Sequence, residues 1–236
     1  MGASGAGQEP CSRGQQLLPL GMQKVPGEWP YLPGINDEAV SGLLEMVHGR
    51  YSVYLYGPSG VGKTHLLQWV ALGQERWVPY VDCEQTDPAD LESSGMDVVP
   101  LLCLDNIGAW AGLRRAEDIL FRLFNARQRS GFPWLLAGHD MPREMPWILP
   151  DWASRLAGCI AYGLRSPNDE ERLAILKHIA QRHGQPLPEE LERYLLHHCS
   201  RNLADLAVLV ERFQRWLWQH HASPSIPRWQ RFLQEL

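Results

Sequence analysis

The sequence predicts an α/β fold, a parallel sheet with helices on both faces, followed by a small all-helical lid. Three observations predict it. Apolar, β-rich runs alternate with helical patterns as far as residue 162, the order expected of parallel strands joined by crossover helices. One run, Val98-Val99-Pro100-Leu101-Leu102-Cys103-Leu104-Asp105, is apolar without a break until its final acid; strands covered on both faces have that character. From Ser166 onward the strand pattern disappears and only helical periodicity remains.

Taken in order, residues 1–14 are Gly, Ser, Ala and charged types without periodicity, and are expected to be disordered. Gln15-Gln16-Leu17-Leu18-Pro19-Leu20 is out of place in such a tail. Its leucines suit either a peptide that docks in a partner's apolar groove or a segment folding back on its own domain. Residues 31–36, Tyr-Leu-Pro-Gly-Ile-Asn, form a turn, and Asn36 or Asp37 can cap a helix reaching about His48. Residues 51–56 are β-branched and aromatic and predict the first strand; residues 65–72 predict a helix. Residues 77–82 predict a second strand, and Asp87-Pro88 opens a short helix.

The aspartate-ended strand follows. Residues 116–130 then carry Ile119, Leu120, Leu123 and Phe124 on one helical face. Residues 132–137 predict a buried strand leading into Gly138-His139-Asp140-Met141-Pro142. A helical turn over 151–156 carries Ser154-Arg155, and residues 159–162 predict the last strand. Beyond Ser166-Pro167-Asn168, a helix has Leu173, Ile175, Leu176 and Ile179 on its apolar face. A second starts at Pro188-Glu189-Glu190. A third spans about 202–219 with Leu203, Leu206, Leu209, Val210 and Phe213, and a fourth spans 226–236. The expected division is a tail over 1–26, an α/β domain over 27–164 and a helical lid over 165–236.

Composition excludes several classes. At 236 residues and 44% apolar content there is enough chain for one core and a smaller second one. No apolar run approaches the ~18 residues of a membrane span, and no basic stretch followed by an apolar one marks a signal peptide; a cytoplasmic protein without a membrane partner is expected. Cys11, Cys83, Cys103, Cys159 and Cys199 are far apart, which suits buried free thiols rather than a zinc site or a disulfide framework. The net charge of −5 argues against broad contact with nucleic acid.

The chemistry centres on Gly57-Pro58-Ser59-Gly60-Val61-Gly62-Lys63-Thr64, which fits G-x-x-x-x-G-K-S/T at every fixed position and lies between the predicted strand and helix. Its glycines allow backbone conformations closed to residues with a Cβ, so the loop can turn its N–H groups inward around a chain of phosphates. Lys63 is placed for the β- and γ-phosphates and the Thr64 hydroxyl for Mg²⁺. Asp105, at the carboxyl end of a buried strand, lies where open α/β sheets bind ligands and suits the second acid of the Mg²⁺ shell.

A phosphate-loop α/β domain followed by a helical lid resembles the AAA+ family. Gly62-Lys63-Thr64-His65-Leu66-Leu67 and Asp151-Trp152-Ala153-Ser154-Arg155-Leu156 are similar to the replication initiator DnaA and its relatives, the second segment where that family carries its box VII arginine. Leu101 to Ile107 and Tyr31 to Asn36 are closer to the Hda family of regulatory inactivators of DnaA. Gln15 to Leu20 resembles that family's Q-L-x-L-P-L peptide for the replicase sliding clamp, with Gln16 in place of a leucine and the register open. No helix-turn-helix domain of the DnaA kind is expected after the lid pattern.

The resemblance implies ADP or ATP with Mg²⁺, held by Tyr31, Leu32, Gly57, Pro58, Ser59, Gly60, Val61, Gly62, Lys63, Thr64, His65, Asp105 and Asp140, the last as the sensor 1 acid. It implies clamp binding through Gln15, Gln16, Leu17, Leu18, Pro19 and Leu20. It also implies DnaA as partner, DNA contact only through the clamp, and an oligomeric state left open. Arg155 is then expected to act in trans on DnaA-bound ATP, making the chain a negative regulator of replication initiation.

Three departures bear on this. Asn106 stands where DnaA has a second acid, and an amide cannot take a proton from attacking water as a carboxylate can. Ala204 stands where the sensor 2 arginine is expected, with Arg201 three residues away. Met141 replaces an arginine. Weak hydrolysis by the chain alone is expected. The complete loop also suits a self-competent AAA+ ATPase such as a helicase loader, and a DNA-binding oligomer is a third reading that the acidic charge opposes.

Overall fold

The computed structural model describes residues 35–49, 51–74, 77–92, 94–199 and 203–236. Tyr31, Leu32, Arg201, Asn202, Cys11 and the peptide Gln15 to Leu20 lie outside the described residues.

The first part alternates α1 (Asp37–Gly49), β1 (Val53–Tyr56), α2 (Lys63–Leu72), β2 (Tyr80–Asp82), α3 (Pro88–Glu92), β3 (Leu102–Asp105), α4 (Arg114–Ser130), β4 (Trp134–Gly138), α5 (Pro150–Ala157) and β5 (Ile160–Gly163). The strands pair in parallel in the order β2-β3-β4-β1-β5. Strands β1 to β4 begin later than the sequence predicts, and β5 is shifted by one residue. Pro79 precedes β2, Pro100 lies two residues before β3, and Pro133 precedes β4. A proline has no N–H to give to a ladder, so the pairing begins after it. The predicted turn at 151–156 is a full helix, α5, with Pro150 in its first turn, where a missing N–H costs nothing.

Alternation along each strand sends side chains to two faces. Val53, Leu55, Cys103, Leu135 and Ala137 point to one core, with Leu43 and Met46 of α1 and Leu66, Leu67 and Val70 of α2. Tyr54, Leu102, Leu104, Trp134 and Leu136 point to the other, with Ile119, Leu120 and Phe124 of α4 and Trp152 and Leu156 of α5. Both faces of the sheet are therefore covered, as the apolar runs predict. Strand β5 lies at an edge and is largely exposed.

Helices α6 (Asp169–His183), α7 (Glu189–His198), α8 (Leu203–Gln219) and α9 (Ile226–Gln234) enclose a separate core around Leu176, Leu195, Val210, Phe213 and Trp229. Helix α6 starts in a capping box: Asn168 Oδ1 accepts from the Glu171 N–H and Glu171 Oε2 accepts from the Asn168 N–H, each at 2.8 Å. Glu171 also takes two hydrogen bonds from Arg165, at 2.6 and 2.8 Å. These contacts, Arg165 first and the Asn168 N–H second, hold its carboxyl down at about 2.

Asn36, expected as a cap for α1, sends its side chain elsewhere: Oδ1 accepts from the Arg165 N–H at 3.0 Å, tying the start of α1 to the segment that leads into α6. Of the thiols, Cys83 and Cys103 are buried; Cys159 and Cys199 are only half-buried, which corrects the expectation that all are interior. Among the described residues no helix is long and apolar enough to cross a membrane.

Candidate functional site

The loop from Gly57 to Gly62 leaves the carboxyl end of β1 and enters α2 at Lys63. Gly57 has φ 146°, and a Cβ there would meet the Leu164 carbonyl oxygen at 2.4 Å, so only glycine fits. Gly62, at φ 100°, turns the chain into the first turn of α2 in the left-handed region. The Gly57 N–H donates to the His139 carbonyl at 3.1 Å, which joins the loop's root to the end of β4.

The side chains converge behind this loop. Lys63 is 8% exposed, and its Nζ donates to the Gly57 and Pro58 carbonyls at 2.7 and 2.9 Å. Burial lowers its pKa from the ordinary lysine value, while the carboxylates of Asp105 and Asp140 act the other way. Asp105 is fully buried at the carboxyl end of β3. Its Oδ2 accepts from Thr64 Oγ1 at 2.6 Å, and its Oδ1 accepts from the Asn106 N–H at 2.9 Å. The sequence separates Thr64 and Asp105 by 41 positions; the sheet brings them together.

His65 is half-buried in the first turn of α2, and burial lowers its pKa, which favours neutral imidazole. Pro58, Ser59 and Gly60 lie in the exposed or half-exposed arc of the loop, while Val61 is buried beneath it. Asp140 is exposed; its Oδ1 lies 3.3 Å from His139 Nδ1 and its carbonyl accepts from the buried Tyr54 hydroxyl at 2.8 Å. Met141 beside it is exposed. Residue 204 lies in α8, outside the described side chains.

Two features escape sequence reasoning. The Tyr80 hydroxyl donates to Asp105 Oδ2 at 2.8 Å, so the acid is held by two hydroxyls at once. Burial, and then the charge of Asp105, pushes this phenol up, and it stays a donor. Asn106, in the left-handed region at φ 51°, directs its amide to Asp82 Oδ1 at 3.0 Å. Both depend on Asp82 lying beside Asp105 in the β2–β3 register, which no local pattern reveals.

Arg155 is placed differently. It projects from the last turn of α5, is exposed, and among the described residues makes no ion pair. The turn after α5 feeds the start of β5, where Ile160 pairs with Val53 at the start of β1. The phosphate loop leaves the other end of β1. Arg155 is thus delivered to the amino end of the sheet, opposite the chain's own loop. Helix α5 is firmly held there. Trp152 is fully buried against Phe124, Trp134 and Trp147. The fully buried Glu117 accepts from the backbone N–H groups of Gly112, Ile148 and Leu149, the last two just before the helix.

Residues 169–230 match the family described as "Hda, lid domain". The chain is similar in fold to domain III of the Thermotoga maritima replication initiation protein DnaA, with 21% identity and a TM-score of 0.69 over 88% of this chain and 94% of that one. The helical part is thus similar to the Hda lid, and the chain has the fold of DnaA domain III. AMPPCP-bound DnaA from Aquifex aeolicus shares the fold at 21% identity and a TM-score of 0.67; the match covers 78% of this chain but only 63% of that protein's length. The fold extends to the Thermotoga maritima RuvB Holliday junction branch migration motor, at 17% identity and a TM-score of 0.60 over 86% and 70% of the two chains. The Hda-like match begins at Asp169, the first residue of α6, and runs into α9.

Proposed function

We propose that this chain is a DnaA-related regulator of replication that holds a nucleotide for architecture and acts through Arg155 on a nucleotide bound elsewhere. The glycine loop, Lys63, Thr64 and Asp105 fit ADP or ATP with Mg²⁺: the loop and Lys63 would take the phosphates, and Thr64 with Asp105 the cation shell. The Aquifex aeolicus DnaA that shares this fold is AMPPCP-bound, which supports nucleotide binding. The cation would screen phosphate charge. Asn106 supplies no base, because an amide cannot take a proton from attacking water, and its side chain is committed to Asp82. Its position beside Asp105 therefore favours holding over hydrolysis.

One observation carries the reading. Arg155 is exposed, on a helix held by buried contacts, at the end of the sheet opposite the chain's own loop. A guanidinium so placed suits a neighbour's site, where it can stabilise charge on a transferring phosphoryl group and accelerate hydrolysis by ~10³–10⁵. The partner in this reading is ATP-bound DnaA, and Gln15 to Leu20 bring the chain to the DNA-loaded sliding clamp. Conversion of DnaA–ATP to DnaA–ADP then restrains new initiation.

The test is a reconstitution of DnaA–ATP with clamp and DNA. Addition of this chain is expected to stimulate hydrolysis, and Leu18→Ala with Leu20→Ala is expected to abolish retention on the clamp. Absence of stimulation by the wild-type chain contradicts the reading. The complete Lys63–Thr64–Asp105 set favours a second reading, a self-competent ATPase such as a helicase loader. Steady turnover by the isolated chain, with binding to the replicative helicase, would select it.

A further inference from the structure

Strand β2 lies at the edge of the sheet, and its Tyr80 is set diagonally to Asp105: in the parallel register Tyr80 pairs with Cys103, and Asp82 with Asp105. Alternation puts these four side chains on one face. The Tyr80 ring packs on the core shared with α2, as a phenylalanine ring would. Packing therefore does not account for the hydroxyl, whose proton goes to Asp105 Oδ2 at 2.8 Å.

Asp105 is fully buried, and a buried carboxylate is costly unless its lone pairs are met. A carboxylate has about four acceptor positions, and the chain itself fills three of them. Thr64 Oγ1 and the Tyr80 hydroxyl both donate to Oδ2, and the Asn106 N–H donates to Oδ1. The nearby cation serves other acceptors: Lys63 Nζ donates to the Gly57 and Pro58 carbonyls. Two of the three donors have a further reason to be there. The Asn106 N–H is the backbone of the next residue. Thr64 belongs to the loop motif, its proton spent on Asp105 and its lone pairs left for a cation. Tyr80 is the donor that neither the backbone nor the motif requires. A phosphate chain on the loop brings like charge toward Asp105. Mg²⁺, when bound, offsets that charge. Without it the carboxylate depends on its donors, and hydrogen bonds to an ionised acceptor are the strong kind.

We infer that Tyr80 is a positioning residue that keeps Asp105 satisfied when no divalent cation is present, so that a nucleotide on the loop is held with or without Mg²⁺. The inference rests on the reading that the loop binds nucleotide, and it suits a chain that keeps its ligand instead of turning it over.

The test is fluorescence titration of the full chain with N-methylanthraniloyl-ADP, once with Mg²⁺ and once with EDTA, for wild type and Tyr80→Phe. Phenylalanine keeps the ring and removes the donor. The ratio of the two affinities is the readout, because a merely structural hydroxyl would change both alike. In Tyr80→Phe the affinity in EDTA is expected to fall relative to that in Mg²⁺ by about 10-fold or more, the range for a hydrogen bond to a charged group. A ratio equal to that of wild type overturns the inference and leaves the loop reading intact, and so does loss of wild-type binding in EDTA alone. Should Tyr80→Phe fail to fold, the chain with 3-fluorotyrosine at position 80 decides by fluorine NMR. Its resonance is expected to move when Mg²⁺ joins bound ADP, as the cation draws on Asp105; an unmoved resonance overturns the inference. Absence of binding by the wild-type chain in Mg²⁺ removes both readings.

Discussion

The two ends of the sheet are built in opposite ways. At the carboxyl end, Lys63, Thr64, Tyr80, Asp105 and Asn106 hydrogen-bond to one another, to the loop or to Asp82. At the amino end, Arg155 is exposed and ion-paired to nothing among the described residues, while the helix that carries it is pinned by Trp152 and Glu117. A closed polar network suits a ligand the chain keeps. A free charge on a rigid mount suits a site the chain visits. Arg127 sharpens the contrast on the neighbouring helix: it is fully buried, donates to the Val99 and Pro133 carbonyls at 2.9 and 2.6 Å, and burial lowers its pKa to about 10. One arginine on this side of the sheet is structural, and the other is available.

The contrast can be broken at either end. Glu117→Ala strips three backbone N–H groups of their buried acceptor and is expected to destabilise the chain by about 3–5 kcal/mol. Thermal melting should fall steeply, and any Arg155-dependent stimulation should fall with it, while nucleotide affinity of the molecules that remain folded is unchanged. An unaltered melting temperature would remove Glu117 as the anchor of α5. Lys63→Ala acts at the other end, with nucleotide affinity expected to drop about 10- to 100-fold in direct binding measurements.

Asn106→Asp tests whether the missing acid alone suppresses hydrolysis. The new carboxylate would face Asp82, so repulsion and misdirection both oppose its use as a base. Turnover by the isolated chain is expected to rise less than about tenfold, under 1.4 kcal/mol of barrier; a larger rise would show that this end is a restrained ATPase.

How much of this was legible in the sequence follows from the range of each interaction. The loop and the helix after it are a contiguous motif, so Gly57 to Thr64 could be read directly, and Asp105 was marked by its strand. The fold class came through because the apolar runs are those of a sheet with both faces buried, although Pro79, Pro100 and Pro133 shortened three strands. Tyr80 and Glu117 were not legible. Tyr80 depends on the β2–β3 register, and Glu117 on the approach of residues 148 and 149 from 31 and 32 positions away. Polar groups of this kind look like ordinary helix or strand residues until the tertiary partner is known.

The smallest effect concerns the junction between the two parts. Glu171 has its pKa depressed to about 2 by Arg165 and the Asn168 N–H, so its contribution is present above the ordinary carboxylate range and is lost as pH falls toward about 2. Glu171→Gln is expected to flatten the acid dependence of lid unfolding, followed by tryptophan fluorescence, in that window. Near neutral pH it should lower the melting temperature only slightly; an unchanged acid profile would mean the pair does not hold α6.

The central claim is that the two ends serve different nucleotides, and Arg155→Ala tests it most directly. In one set of samples, nucleotide affinity of the chain and hydrolysis of DnaA-bound ATP on the DNA-loaded clamp are measured together. Affinity within about twofold of wild type with stimulation lost, by ~10³-fold or more, is the expected result. Full stimulation by the Arg155→Ala chain would contradict the account.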